Sequence, residues 1–155
     1  MEAIPVDALP VWVALSVVAA IGATAAVAVP NAPPPDARTV AEAVDRVAAS
    51  SVPGVATVPV RADAVRVGPH RVALRSDGGR ASAAFAYGPV TPARDGRLGD
   101  LLAGVPPSER FDSPSSLAAA ARSARAATPR WADAGPRVTV RRVTWGGVHV
   151  TLVGV

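Results

Sequence analysis

The sequence predicts an α+β fold in which an N-terminal transmembrane helix precedes a small domain with a mostly antiparallel β-sheet and one or two packed helices. Three observations support this fold class: a long apolar stretch without charge near the N-terminus, segments of alternating apolar and polar residues around glycine turns, and segments with apolar residues at helical spacing. We expect an N-terminal tail at 1–9, a transmembrane helix at 10–30, a proline-rich spacer at 31–36 and an α+β soluble domain at 37–155.

The composition limits the classes of protein to which the chain can belong. Its 155 residues correspond to one ordinary domain, or to a membrane anchor with a small domain. It contains no cysteine, which excludes disulfides, thiolate metal sites and a cysteine nucleophile. All sixteen basic residues are arginine and the net charge is +4, a modest excess that by itself indicates a solvated basic surface.

The stretch PVWVALSVVAAIGATAAVAVP at 10–30 contains no charged residue. Twenty helical residues span about 30 Å, the thickness of the hydrocarbon core of a bilayer. We therefore expect an uncleaved single span in the cell membrane. Two alternatives remain open: a cleaved signal peptide, which lacks the usual basic N-terminal region here, and a buried helix, which would need a larger core than this chain can build.

Two features in and after this stretch concern partners and orientation. Gly22 and Ala26 lie four residues apart, and small residues at this spacing let helices pack closely in lipid. We therefore expect contact with a second copy of the chain or with membrane helices of an assembly platform, besides the lipid bilayer itself. Arg38 and Arg46 follow the stretch while no arginine precedes it, which favours a cytoplasmic position for the domain.

The next residues predict a spacer and a helix. NAPPPD at 31–36 indicates a stiff, extended segment that would hold the domain off the bilayer. In DARTVAEAVDRVAAS, Asp36 is a helix N-cap, and apolar residues recur at helical spacing until the helix ends before Pro53. We expect this amphipathic helix to pack against the sheet.

The middle of the chain predicts strands. A strand at 65–67 precedes a hairpin with a two-residue turn at Asp77 and Gly78, which pairs Ser76 with Gly79. As a type I′ turn, it requires a left-handed backbone at Gly78. This pairing places apolar residues on one face and mostly arginine on the other. The apolar face consists of Val72, Leu74, Ala81, Ala83 and Phe85, and the other face of Arg71, Arg75, Arg80 and Ser82.

A helix is predicted in the last third of the chain. After one helical turn around 98–102, Ser113 is the N-cap and Pro114 the first residue of a helix that Pro129 stops. We expect this helix to turn its apolar side to the sheet and its arginines outward. The side toward the sheet consists of Leu117, Ala121 and Ala124.

The C-terminal tail predicts a second hairpin, around Gly146 and Gly147. Strict alternation would place Val138 and Val140 on the opposite face from the other apolar residues of this hairpin. A β-bulge at 141–142 would restore them to a single core, and we therefore expect one.

Within residues 113–155, six arginines are accompanied by one acid, Asp133, and form a candidate basic face for anionic lipid or nucleic acid. The absence of an accompanying aromatic binding motif argues against nucleic acid. His70 and His149 have no second ligand at metal spacing, so we expect no metal, no cofactor and no catalytic residue. The candidate basic face consists of Arg122, Arg125, Arg130, Arg137, Arg141 and Arg142.

Four segments, APPPDA, VRVGPHRVALRSDGG, AFAYGPVTPA and GVHVTLVGV, together with the apolar N-terminal stretch, resemble an uncharacterised family of haloarchaeal single-span membrane proteins with a domain of unknown function. Proteins of that family look like accessory components of type IV pilus-like or secretion systems. The resemblance implies an extracytoplasmic domain, and we follow it against the charge asymmetry. This chain departs from the family in being basic and in lacking a pilin processing motif.

Two functions follow from the sequence. The first is a non-enzymatic, membrane-anchored structural or accessory protein of a surface-appendage or secretion apparatus. The alternative is a membrane-tethered domain on the cytoplasmic side that uses an arginine-rich face to bind anionic lipid or nucleic acid.

Overall fold

The computed structural model describes residues 32–155, which contain three α-helices and eight β-strands. The helices are α1 (Ala37–Ala49), α2 (Gly96–Ala103) and α3 (Pro114–Ala126), and one turn of 3₁₀-helix spans Pro107–Glu109. The strands are β1 (Gly54–Pro59), β2 (Ala64–Val67), β3 (Arg71–Ser76), β4 (Gly79–Ala84), β5 (Thr91–Pro92), β6 (Ala132–Asp133), β7 (Arg137–Trp145) and β8 (Val148–Gly154).

The strands form two four-stranded sheets where the sequence predicts one. The first sheet has the order β1-β7-β8-β5, and the second has the order β4-β3-β2-β6. The pairs are antiparallel except for the short parallel pair of β5 and β8. The described part of the chain is therefore an α+β fold rich in antiparallel sheet.

The fold class predicted from the sequence is wrong in including a transmembrane helix. Within residues 32–155, no helix combines the length and apolar character needed to cross a membrane. The predicted helix at 10–30, with the candidate packing residues Gly22 and Ala26, lies outside the described residues. The fold class that the structure supports is an α+β domain of two sheets and three helices.

Helix α1 packs between strands of both sheets. Its N-cap is Asp36, as predicted, whose Oδ1 accepts hydrogen bonds from the backbone N–H groups of Arg38 and Thr39, both at 3.0 Å. The helix ends at Ala49, and it contacts β1, β7 and β8 on one side and β3 and β4 on the other. Its buried residues are Ala37, Val40, Ala41, Ala43, Val44 and Val47.

The proline segment before α1 contacts the turn of the first hairpin. Pro35 is buried, and a Cβ added to Gly78 would lie 2.5 Å from the carbonyl oxygen of Ala32 and closer still to that of Pro33. Residues 32–35, predicted as part of a spacer, therefore lie against the domain.

The first hairpin has the predicted pairing but a different turn. Ser76 pairs with Gly79 and Leu74 with Ala81, so the two-residue turn is confirmed. The positive φ, however, is at Gly79 (+122°) rather than at Gly78, so the type I′ assignment is wrong. The predicted apolar face is confirmed, since Val72, Leu74 and Phe85 are buried and Ala81 and Ala83 are half-buried.

The first sheet is buried on both faces, and this arrangement overturns the predicted bulge. The pairing of β7 with β8 runs without interruption from Thr139 to Trp145. Val138 and Val140 pack with α1 and the second sheet in one core. Val143 packs with α2 and α3 in a second core on the opposite face. The apolar residues of β7 change face because the strand serves two cores.

Helices α2 and α3 cover the outer face of the first sheet. Ser113 caps α3 through a reciprocal pair of hydrogen bonds with Ser116, and Pro114 is its first residue, as predicted. Leu117 and Ala121 are buried against the sheet, and Ala124 is half-buried. The expected helical turn near 98–102 is the longer helix α2.

Candidate functional site

The six arginines of the candidate basic face do not lie on one surface. Arg122, Arg130 and Arg137 are exposed, whereas the other three are half-buried. Each of these three donates a hydrogen bond that joins two parts of the fold: Arg125 Nε to Thr91 Oγ1 (2.8 Å), Arg141 Nε to Leu102 O (2.9 Å) and Arg142 Nη1 to Ala48 O (2.7 Å).

A different basic surface lies on the outer face of the second sheet. The guanidinium carbons of Arg66, Arg75 and Arg80 lie 4.9 Å, 5.1 Å and 6.0 Å from the centre of the Trp131 ring. These distances are within the range of cation–π attraction, since the face of an indole carries negative charge. We call these four residues the arginine–tryptophan face.

The pairing of the strands assembles this face. Ala64 of β2 lies opposite Arg75 of β3, which lies opposite Arg80 of β4, so the three side chains point to the same side. Ala73 points there as well, opposite Arg66. Both alanines are only 5% exposed although they lie on the outer face. Their burial agrees with an indole that lies across the small residues, with the guanidinium groups around it.

The charge of the arginine–tryptophan face is largely uncompensated. No carboxylate among residues 32–155 lies within 4.0 Å of Arg66, Arg75 or Arg80. Asp133 of β6 pairs with Ala64 and therefore points to the same side of the sheet as Arg75 and Arg80, but it forms no ion pair with either. Like charges directly opposite each other across a sheet destabilise it slightly, and the shared indole offsets that repulsion between Arg75 and Arg80.

Sequence reasoning placed Arg75 and Arg80 opposite each other but missed Arg66 and Trp131 as their neighbours. Trp131 precedes β6, which has only two residues and pairs with β2 from far along the chain. Alternation within β2 could have placed Arg66 on the outer face. No local pattern identifies the strand that brings the indole there.

The two histidines lie apart from this face. His149 Nδ1 lies 3.1 Å from Thr144 Oγ1, its neighbour across the β7–β8 pair. His70 is an exposed residue that precedes β3. Over the described range 32–155, no group of three or more potential metal-ligating side chains comes together.

The fold and its surface define the described part of this protein as a small α+β domain with a basic, tryptophan-centred sheet face. The chain belongs to DUF7283, a family of unknown function, whose match covers residues 3–143 and ends within β7. Neither the curated proteins nor the solved structures give a match.

Proposed function

We propose that this chain is a non-enzymatic accessory protein that acts by binding, and that the arginine–tryptophan face holds an acidic protein partner. The observation that carries the proposal is the group of three guanidinium groups around Trp131 without a carboxylate within 4.0 Å in the described part of the chain. Arginine is suited to this role because its planar donors match the two oxygens of a carboxylate.

The arrangement around Trp131 favours carboxylates over bases of nucleic acid. Proteins that bind single strands stack bases on free aromatic rings. Here the guanidinium groups of Arg66 and Arg75 already lie about 5 Å from the ring centre, within stacking range. The ring orders the arginines, and their N–H groups remain available for an anionic partner.

The resemblance to accessory components of type IV pilus-like or secretion systems indicates the kind of apparatus to which the partner would belong. One segment that carries the resemblance, VRVGPHRVALRSDGG, contains Arg66 and Arg75 of the proposed face. In that setting the partner would be an acidic subunit of a surface-appendage or secretion apparatus. A haloarchaeal source and an extracytoplasmic position of the domain stay predictions, and the family match does not address either.

The proposal is tested by binding of the full chain to fluorescently labelled polyglutamate at increasing salt. The Arg75→Gln/Arg80→Gln double variant is expected to bind about tenfold more weakly, because it removes two ion pairs worth up to roughly 1 kcal/mol each. The matched control is the Arg122→Gln/Arg137→Gln variant, which changes the net charge equally at two exposed positions away from the face. The control should bind like the unchanged chain.

Two further probes separate the partner classes. A single-stranded oligonucleotide and vesicles of anionic lipid are titrated under the same conditions. In one outcome, the chain binds one of these probes more tightly than polyglutamate and loses that binding in the Arg75→Gln/Arg80→Gln variant. In that case the partner of the face would be nucleic acid or anionic lipid rather than an acidic protein. Equal affinity of both double variants for polyglutamate would overturn the assignment of the face. In cells of the source organism, an assembly ATPase or its platform should co-purify with the unchanged chain and not with this variant.

A further inference from the structure

A small polar cavity lies where the end of α1, the loop at 87–89 and the sheet strands β7 and β8 meet. Its volume is about 220 Å³. This cavity belongs to the first sheet and shares no residue with the arginine–tryptophan face. The side chains that give it its chemistry are Tyr87, Arg125, Arg142, His149 and Thr151.

The first sheet places three of these side chains together. Arg142 of β7 lies directly opposite Thr151 of β8, and His149 lies two residues before Thr151 on the same face. Arg125 reaches the cavity from α3, where its Nε donates a hydrogen bond to Thr91 Oγ1 at 2.8 Å. Two strands and a helix therefore hold two guanidinium groups and an imidazole around one space.

The wall formed by the loop is fixed by an acid that does not line the cavity. Asp45 Oδ1 accepts hydrogen bonds from the backbone N–H groups of Ala86 and Tyr87, both at 2.9 Å. This carboxylate oxygen is thus occupied by the loop, and no acidic side chain is among the residues that line the cavity. The cavity therefore has a positive charge that the surrounding residues do not neutralise.

One buried donor beside this cavity has no partner. Arg142 Nη1 donates to the carbonyl oxygen of Ala48 at 2.7 Å, but the Nε of the same side chain is buried without a hydrogen bond. Leaving a buried donor unpaired is unfavourable, because the group has lost its water and gained nothing in return. Burial also lowers the pKa of Arg125, since removal from water disfavours the charged guanidinium. A bound anion would stabilise the charged guanidinium groups of both arginines.

We propose that this cavity binds a phosphate group of a small phosphorylated compound. Arg125, Arg142 and His149 approach from three elements, which suits the tetrahedral oxygens of a phosphate better than the two oxygens of a carboxylate. The cavity is smaller than the roughly 300–1,000 Å³ of sites for drug-sized ligands, so it accommodates a phosphate with a short organic group. Arg142 Nη2 and the two Nη nitrogens of Arg125 would donate to the phosphate oxygens.

The test measures binding of inorganic phosphate and glycerol 3-phosphate to the full chain by calorimetry, with acetate as the carboxylate probe. The melting temperature should rise with either phosphate compound, since a ligand that binds the folded state stabilises it. The Arg142→Gln variant is expected to bind at least about tenfold more weakly, as expected for the loss of hydrogen bonds from a charged group. The Arg125→Gln variant, which leaves the bond between Arg142 and Ala48 in place, should show a similar loss. The matched control is Arg122→Gln, an exposed arginine on the same helix.

The binding measurements on these variants either support or overturn the phosphate site. Weaker binding in the Arg125→Gln and Arg142→Gln variants, with unchanged binding in Arg122→Gln, would support the site. Binding to vesicles of phosphatidic acid with the same loss in these variants, but none to glycerol 3-phosphate, would support the same phosphate chemistry and assign it to a lipid headgroup. Tighter binding of acetate than of phosphate, no binding of either phosphate compound, or phosphate binding that ignores both substitutions in folded variants would overturn the proposal.

Discussion

Replacing Gly78 with alanine tests whether the proline segment lies on the first hairpin turn. A Cβ at this position would lie 2.5 Å from the carbonyl oxygen of Ala32, whereas real Cβ atoms essentially never approach closer than 3.0 Å. At least 0.5 Å of overlap must therefore be relieved, and the carbonyl of Pro33 is closer still. Because Gly78 does not have a positive φ, the turn itself accepts alanine without strain. The cost comes from contact with the segment at 32–35.

We expect Gly78→Ala to lower the free energy of unfolding by about 2 kcal/mol, within the range for overpacked contacts. Gly79→Ala is the matched comparison, because Gly79 has a φ of +122° and no atom within 4 Å of an added Cβ. Its expected cost of about 1–3 kcal/mol is backbone strain alone. Urea unfolding followed by circular dichroism measures both.

Shortening the chain separates the two mechanisms. In a chain that begins at Pro34, the carbonyls of Ala32 and Pro33 are gone, so the cost of Gly78→Ala should disappear. The cost of Gly79→Ala should remain, since it arises within the hairpin. If Gly78→Ala costs the same in the full chain and in the shortened chain, the contact with Ala32 and Pro33 is refuted. The cost would then arise within the hairpin turn.

Three further predictions concern the two cores, the cap of α1 and the contact between the end of β8 and the residue after β5. Val140→Ala and Val143→Ala should each lower the free energy of unfolding by about 2 kcal/mol in urea, because each deletes buried methyl groups from a core. The two valines lie in separate cores. A neutral result for either would contradict the two-core arrangement. Hydrogen bonds from the side chain and backbone of Thr39 lower the pKa of Asp36 below its ordinary value. The stabilisation is therefore present above the ordinary pKa and is lost as pH falls through the lowered one. Asp36→Asn keeps the cap and should remove this acid-dependent part of thermal unfolding. Gly154→Ala should cost about 3 kcal/mol or more, because its Cβ would collide with a backbone carbonyl just after β5; mild destabilisation would refute that contact.

The first hairpin shows which part of a fold can be predicted from a single sequence. Its strand pairing follows from alternation and from a two-residue turn, because a shift by one residue would turn the apolar side chains outward. The turn type does not follow in the same way. Here Gly79 rather than Gly78 adopts the positive φ, and the approach of Ala32 and Pro33 is a tertiary contact that no local pattern contains.

The second hairpin shows how an assumption about the core misled the prediction. The change of face between Val140 and Val143 is visible in the sequence, and under the assumption of one core it requires a bulge. In the structure, regular pairing buries Val140 against α1 and Val143 against α2 and α3. A change of apolar face within a strand is therefore also the signal of a sheet that is covered on both sides.

The arginine–tryptophan face could not be predicted from the sequence because it depends on a very short strand. The edge strands β5 and β6 have two residues each, too few for periodicity to identify. Pairing of β6 with β2 is nevertheless what brings Trp131 beside Arg66. Residues that define a surface through such brief pairing can be found only from the three-dimensional arrangement.

The role of each arginine in the described domain depends on its immediate neighbour rather than on the local density of charge. Arg141, in the segment with the most basic composition, is bound to a backbone carbonyl of α2. Arg75, from a segment at 64–80 that has four arginines and one acid, contacts an indole that leaves its donors free. A count of charges along the chain therefore identifies basic segments, whereas binding capacity depends on which guanidinium donors remain unused. On that criterion, the arginine–tryptophan face and the cavity at Arg142 are separate sites, and substitutions at one should leave binding at the other unchanged.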